Sequence, residues 1–439
     1  GDVAPRCAGP AGRAAGSSRA NAVNAWNRGR FCGMAAAMLL ALSACGGWPD
    51  QAPDQASAID EPGVPKQLRA RQIIVALPDR LRGEWPAIDR DLQARYRLRP
   101  VGEFPLTSIG VQCLVYQVPI DQLLDEVIAQ LQADSRVELA QPNQTFEELQ
   151  TGSRHYVALA YGAKLIRADR AQQLSTGQGV SVAVIDTGAA ADHPDLRGRV
   201  AETATFVEGG EPSFPRDRHG TAVAGVIGGR AHGAGLEGVA PNVRLTVAKA
   251  CWYPEPGGAK ARCSSWTLAK AVDFAIGHGV KVLNLSLGGS RADPLLTRLL
   301  HAAHRRGVTV VAATLEGGNE PGFPAALDTV IPVIACDAEG RVTRPHWQNP
   351  GFVVAAPGVE VVAPIPDSGY ALMSGSSLAA AHVTGVVALL LQQAPQLSPD
   401  QIKTVLQTTA KPVAGADPVI GLVDACAALA QEEPRLACR

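Results

Sequence analysis

The sequence has no excess of charge of either sign, because 40 Lys and Arg residues stand against 41 Asp and Glu residues and the formal net charge is −1. No long-range field therefore favours nucleic acid or an extended anionic surface as the partner. Internal repeats are also missing, which argues against a solenoid or a propeller. We expect a protein that recognises its partner locally, in a cleft.

The N-terminal region has no hydrophobic run long enough to span a bilayer. Residues 34–42 are apolar and follow Arg28 and Arg30, which is the pattern of a signal peptide. The segment Leu42-Ser43-Ala44-Cys45 resembles the lipobox of bacterial lipoproteins. This resemblance implies an exported protein of the cell envelope, anchored to a bacterial membrane through lipid on Cys45 and facing the periplasm or the exterior. The alternative is an ordinary signal peptide, in which Cys45 carries no lipid.

None of the nine cysteines shows the Cys-x-x-Cys spacing of a zinc site. In an exported protein some of them can form disulfides. Cys251 and Cys263 bracket an insertion rich in proline and glycine, and we expect them to be bonded. Cys426 and Cys438 form a second candidate pair near the C-terminal end.

The most informative segment is Gly375-Ser376-Ser377-Leu378, which precedes an apolar run predicted to be a buried helix. Ser377 would then lie at a helix N-terminus, where free backbone N–H groups can stabilise an oxyanion. Gly375 lets the chain approach closely because it has no Cβ. The segment predicts a nucleophilic serine.

Two upstream segments supply groups that can activate a serine hydroxyl. Asp186 ends an apolar, β-branched strand, and His219 opens a helix of small residues. Residues at the carboxyl ends of strands in an open α/β sheet meet at one edge, where such sheets carry their sites. The order Asp, His, Ser within these motifs resembles the subtilisin-like serine peptidases, the subtilase family, for which this order is established.

Further motifs carry the resemblance, which runs from about Tyr161 to about Ala410. They are His193-Pro194-Asp195-Leu196, Gly238-Val239-Ala240-Pro241 and Asn284-Leu285-Ser286-Leu287-Gly288-Gly289. The resemblance implies that Ser377 attacks the scissile carbonyl, that His219 takes and returns the proton, and that Asp186 orients the imidazole.

The same resemblance assigns the binding groups around the nucleophile. Ser286, Leu287 and Gly288 form a wall and an edge along which an extended peptide binds. The oxyanion hole combines the backbone N–H of the nucleophile with an asparagine that follows a buried strand. Asn319 is the amide available here, although an ungapped comparison puts Glu316 at that position. We assign Asn319 and keep Glu316 as the alternative.

The segment before the peptidase motifs reads as a small α+β unit of alternating strands and helices. In length and position it resembles the inhibitory prodomain of subtilases, whose C-terminal tail lies in the active-site cleft. The resemblance implies a zymogen that cuts its own tail between Ala140 and Gly152, giving a fragment that starts near residue 150. The alternative is an unrelated accessory domain.

After Gly152 short β-branched runs alternate with helices, as in a parallel sheet buried on both faces. The predicted fold is α/β, a subtilisin-like parallel sheet flanked by helices and preceded by a small α+β prodomain. The predicted divisions are a signal region with an upstream extension, a lipid-anchor tether, the prodomain-like unit, the peptidase domain and a tail, at residues 1–44, 45–70, 71–149, 150–430 and 431–439.

The sequence thus predicts an exported serine endopeptidase, made as a zymogen, that acts on protein or peptide substrates and on its own prodomain. No cofactor and no nucleic acid partner is expected. Asp195 matches a residue that ligates calcium in several relatives, but the nearby loop at residues 229–233 lacks the other ligands, so no metal is expected. The alternative function is a catalytically weak or inactive lipoprotein of the same fold that binds peptides.

Overall fold

The computed structural model describes residues 66–148, 161–231, 235–255, 258, 260–315, 319–342, 347, 351–413, 419–432 and 438. The predicted signal peptide and residues 45–65 of the predicted tether, with Cys45, lie outside the described residues, as do Glu316 and residues 149–160.

The first described unit is a four-stranded antiparallel sheet with two helices on one face. Its elements are β1 (Gln72–Pro78), α1 (Trp85–Tyr96), β2 (Arg99–Leu106), β3 (Val111–Gln117), α2 (Leu124–Gln132) and β4 (Leu139–Pro142). The strand order is β2-β3-β1-β4. Because side chains alternate along a strand, Ile73 and Val75 of β1 pack against the unit's own helices, whereas Ile74 and Ala76 pack into the core shared with the following domain.

The chain then forms β5 (Thr145–Glu148) and enters the α/β domain. Its first half contains α3 (Tyr161–Leu165), α4 (Ala168–Ala171), β6 (Ser181–Asp186), β7 (Val200–Thr205), α5 (Arg218–Gly228), β8 (Arg244–Lys249), β9 (Cys251–Trp252), β10 (Arg262–Ser264), α6 (Ser265–Gly277), β11 (Val282–Leu285) and β12 (Leu287–Gly288). Its second half contains α7 (Pro294–Arg305), β13 (Thr309–Ala313), β14 (Val330–Cys336), β15 (Val353–Pro357), β16 (Val361–Ile365), β17 (Gly369–Met373), α8 (Ser376–Gln393), α9 (Pro399–Thr409), β18 (Lys411–Pro412), β19 (Ile420–Leu422) and α10 (Ala425–Glu432).

The central sheet has the strand order β18-β19-β15-β14-β13-β11-β6-β8-β7. Every pair in it is parallel except β18 with β19. Helices cover both faces, which confirms the predicted fold class. The helix α8 is long and apolar enough to cross a membrane by length and composition, but 89% of it is buried inside the protein, so it is the core helix of this domain.

Two disulfides lie in the described residues at the predicted pairs. Cys251 and Cys263 stand opposite each other on β9 and β10 and are bonded. Cys426 at the start of α10 is bonded to Cys438. The first bridge therefore fastens the outer strand β9 to the inner strand β10 of a second small sheet with the order β12-β5-β10-β9.

Candidate active site

The predicted acid lies at the carboxyl end of β6, in the interior of the central sheet. Asp186 is 3% exposed. The N–H of Thr187 donates to Asp186 Oδ1 at 2.7 Å. This hydrogen bond fixes the orientation of the carboxylate.

The predicted base is the second residue of α5. His219 is 1% exposed, and its Nδ1 lies 2.8 Å from Asp186 Oδ1. A carboxylate oxygen accepts hydrogen bonds, so Nδ1 is the donor in this contact and Nε2 is the nitrogen that can accept a proton. The close approach of the helix needs glycine at the next position, because a Cβ on Gly220 would lie 2.0 Å from the Gly188 carbonyl oxygen. The structure thus brings the predicted acid and base together.

The predicted nucleophile lies in the first turn of α8. Gly375 precedes this helix with φ +151°, a conformation that L side chains rarely adopt, so the turn from β17 into α8 requires glycine. Ser377 is 1% exposed, and its Oγ donates to the Ser286 carbonyl at 2.9 Å. The helices α5 and α8 pack against each other, so the residues predicted as base and nucleophile lie on neighbouring helices.

A buried polar network ties the predicted nucleophile to the end of β11. The Thr384 hydroxyl donates to Asn284 Oδ1 at 2.8 Å, and Asn284 Nδ2 donates to Ser286 Oγ at 2.9 Å. Ser286 Oγ in turn donates to the Ser377 carbonyl at 3.0 Å. Sequence reasoning did not single out Thr384 or Asn284, although Asn284 opens one of the motifs it used. The network fixes the start of α8 against the predicted substrate edge.

The predicted substrate edge is occupied by the chain itself. Leu287 and Gly288 of β12 pair antiparallel with Glu148 and Glu147 of β5. On its other side β5 pairs with β10. The segment between the α+β unit and the α/β domain therefore lies as an added strand between two edges, which is how extended peptides bind to proteins.

One side chain anchors this added strand. Phe146 is completely buried and packs 5.9 Å, centroid to centroid, from the ring of Phe323. A Cβ on Gly289 would lie 3.0 Å from the Phe146 ring, so the glycine makes room for it. Phe146 shares an apolar cluster with Leu287 and Leu296. The wall of the edge thus contains an apolar site filled by an aromatic side chain.

The predicted oxyanion residue lies in the loop after β13. Asn319 is exposed and lies in a bend of this loop. A hydrogen bond of 2.7 Å from Leu315 N to the Pro321 carbonyl closes the loop. Glu316, the alternative, lies outside the described residues. The assignment therefore stays a prediction.

Asp195 is held by protein donors. Its Oδ2 accepts hydrogen bonds from Leu236 N at 2.9 Å and from the Tyr370 hydroxyl at 2.8 Å. Among the residues that the structure describes, no group of three His, Cys, Asp or Glu side chains is placed to hold a metal ion. These two donors fix the Asp195 carboxylate between Leu236 and Tyr370.

Comparison with known proteins identifies the family to which this fold belongs. Residues 177–423 match the sequence profile of the Subtilase family. The chain belongs to this family and is a serine endopeptidase.

Similar proteins span the same domain. Subtilisin DY from Bacillus licheniformis is 36% identical over 258 residues, which cover 57% of this chain and 90% of that protein. Thermitase from Thermoactinomyces vulgaris is 31% identical over 264 residues, which cover 60% of this chain and 91% of that protein. The crystal structure of fervidolysin from Fervidobacterium pennivorans, a keratinolytic enzyme, superposes with a TM-score of 0.64 at 26% identity and covers 82% of this chain. This chain spans 60% of the length of fervidolysin.

Proposed function

We propose that Asp186, His219 and Ser377 are the catalytic triad of this peptidase. Ser377 Oγ attacks the scissile carbonyl while His219 Nε2 takes its proton and later returns it to the leaving amine. Asp186 holds the ring with Nδ1 protonated and stabilises the imidazolium. The observation that carries the proposal is the buried hydrogen bond of 2.8 Å between His219 Nδ1 and Asp186 Oδ1.

A fluorophosphonate probe tests this proposal because it labels only an activated serine. We expect one labelled site, at Ser377, in the wild-type protein after tail processing. Ser377→Ala should abolish labelling, and His219→Ala should slow it strongly while the protein remains folded. A folded, processed protein that does not label would favour the alternative, a peptide-binding protein of the same fold.

We propose further that the chain is made as a zymogen and that β5 is the tail that it cuts. The predicted segment runs from Ala140 to Gly152, and its part after residue 148 lies outside the described residues. The register of β5 indicates which peptide bond of the tail would be cut. Leu287 pairs with Glu148, so a peptide bound in this antiparallel register would present its next residue to Ser286. In the sequence the residue after Glu148 is Leu149, and the Ser286 carbonyl accepts from Ser377 Oγ. The bond between Leu149 and Gln150 is therefore the proposed cleavage site.

The test is expression of the full chain with and without Ser377→Ala. The wild-type protein should give a fragment whose N-terminal residue is Gln150, and the variant should accumulate uncut. N-terminal sequencing distinguishes this bond from its neighbours. Equal, uncut chains from both would mean that the α+β unit is a permanent domain.

We also propose that the protein is exported and anchored through lipid on Cys45. The support is the sequence alone: an apolar run behind two arginines, followed by Leu-Ser-Ala-Cys. Cys45→Ser should prevent incorporation of a labelled fatty acid and shift the uncut Ser377→Ala chain from the membrane to the soluble fraction. Unchanged membrane retention without lipid would refute the anchor.

A further inference from the structure

Two buried charges that are not part of the predicted triad lie beside it. Lys249 is the last residue of β8 and Asp217 is the N-cap residue of α5; they are 1% and 4% exposed. Lys249 Nζ donates to Asp217 Oδ2 at 2.6 Å and also to the carbonyl oxygen of Thr187. Burying an ion pair has a large desolvation cost that its mutual attraction often fails to exceed. Stability alone therefore does not explain this pair.

The Lys249 ammonium touches the chain next to both the acid and the base. Thr187 directly follows Asp186, and its hydroxyl accepts a hydrogen bond from Gly220 N of α5 at 3.1 Å. Asp217 precedes His219 by two residues and begins the same helix. Lys249 therefore links the end of the strand that carries the acid to the start of the helix that carries the base.

The neighbouring backbone makes room for this pair. Gly188 has φ +118°, and a Cβ on it would lie 2.9 Å from Asp217 Oδ2 and 2.7 Å from the Phe214 carbonyl oxygen. A Cβ on Gly210 would lie 3.0 Å from Lys249 Cε. The two glycines thus leave the space that the lysine stem and the carboxylate occupy. A side chain at either position would clash with the pair.

We propose that Lys249 and Asp217 are positioning residues, whose ion pair holds α5 against the end of β6 so that His219 keeps its hydrogen bond to Asp186 during proton transfer. The inference rests on the proposed triad. Neither residue is assigned a contact with substrate. An ammonium and a carboxylate together add no net charge beside Asp186, so the pair fixes geometry while leaving the overall charge at the site unchanged.

Both Lys249 and Asp217 are buried, so removing one of them leaves the charge of the other unpaired. Burial raises the pKa of Asp217 to about 6, and the charge of Lys249 acts in the opposite direction. Lys249→Met keeps the length of the stem but leaves a buried carboxylate without its counter-ion. Asp217→Asn keeps the shape of the carboxylate without its charge. The double variant leaves no uncompensated charge, so it separates loss of the link from the effect of an unpaired charge.

Each variant is compared with wild type by kcat and KM on a fluorogenic peptide and by its thermal midpoint. We expect Lys249→Met and Asp217→Asn each to lower kcat about tenfold to hundredfold, as a small misplacement of the base does, while KM changes less than about twofold. The double variant should be no worse than the poorer single variant, because the two residues act as a unit. Lys249→Arg, which retains a cationic donor, should recover part of kcat.

The matched control is Lys403→Met. Lys403 on α9 also donates to two backbone carbonyls, those of Asp328 at 2.7 Å and Val330 at 3.2 Å, but it belongs to another part of the domain. Its substitution should lower the thermal midpoint and leave kcat unchanged.

The outcomes separate the two proposals. A folded, processed wild-type protein that neither labels with the fluorophosphonate nor cleaves peptide would refute the proposed function. An active wild type with Lys249→Met and Asp217→Asn within twofold of its kcat would overturn the positioning role alone. An equal loss of kcat in Lys403→Met would overturn it as well, since the effect would then be general. If Lys249→Met fails to fold, Asp217→Asn and Lys249→Arg decide the question.

Discussion

Removal of the Phe146 side chain should detach the tail strand from the substrate edge. Phe146 of the tail is completely buried against the α/β domain, whereas its neighbour Thr145 on the same strand is exposed. Replacing a buried Phe by Ala in a closed core costs about 3–5 kcal/mol. Water can enter a site at the surface once the ring is gone, so we take the lower end, about 3 kcal/mol. This corresponds to about a hundredfold increase in the detached fraction.

The assay uses the uncut Ser377→Ala chain and an added protease under native conditions. When opening and closing are fast, the rate of cleavage within the tail follows the population of the detached form. Phe146→Ala should raise this rate about a hundredfold, and Thr145→Ala should leave it within about threefold of the parent. Thermal midpoints of the same samples separate local detachment from global unfolding.

Equal cleavage rates in the Phe146→Ala and Thr145→Ala proteins would refute this reasoning. The tail would then be held by its backbone hydrogen bonds to β10 and β12 alone, and the apolar site next to Phe323 would contribute nothing to its retention.

Three further predictions concern the oxyanion, the disulfide and acid stability. Asn319→Ala should lower kcat about a hundredfold with little change in KM, because an oxyanion donor acts mainly in the transition state. Glu316→Ala should lower kcat much less. The reverse ranking in steady-state kinetics would move the assignment to residue 316. Cys251 and Cys263 should resist alkylation until reductant is added. Replacing both by Ser should raise KM more than it lowers kcat, since β10 forms one wall of the peptide groove. An unchanged KM would contradict this expectation. Burial lowers the pKa of His382 from 6.5 to about 4. The neutral form of this side chain therefore contributes stability that is complete above pH 6.5 and is lost as the pH falls through 4. The total loss in unfolding free energy is about 3 kcal/mol. Unfolding free energies should fall less between pH 6.5 and 4 in a folded His382→Gln variant, and an equal fall would refute the assignment.

Local sequence signals were sufficient to predict the strands and helices that carry the site. Asp186 closes a β-branched strand, and its position at the end of β6 follows from that pattern. Gly375 followed by Ser377 and an apolar run predicts a tight turn into a buried helix, which is α8. The bond between Cys251 and Cys263 was also predictable, because both cysteines flank one short insertion.

Features that depend on contacts between distant segments could not be predicted in the same way. The strand β2 has only a weak sequence signal because Pro100 and Pro105 lie in it, and proline weakens a strand pattern even where an edge position tolerates it. The pair of Lys249 and Asp217 has no local signal, since it depends on β8 lying next to β6 and on the direction of α5. Phe146 did have a signal, as the lone aromatic residue of a polar tail.

The proposed cut at Leu149 would leave the two parts joined by their interface alone. That interface includes the stacked rings of Phe104 and Trp266, 5.9 Å apart at 9°, within the apolar core that both parts share. It also includes Asp273, whose carboxylate accepts hydrogen bonds from the backbone of Ser108 at 2.8 Å and of Thr107 at 3.2 Å. Salt screens exposed charges but strengthens or leaves unchanged the burial of apolar surface. Retention of the cut enzyme on a Cys45-anchored N-terminal unit should therefore survive high salt. Release of activity by salt alone would mean that the charged contacts, and not the shared core, hold the two parts together.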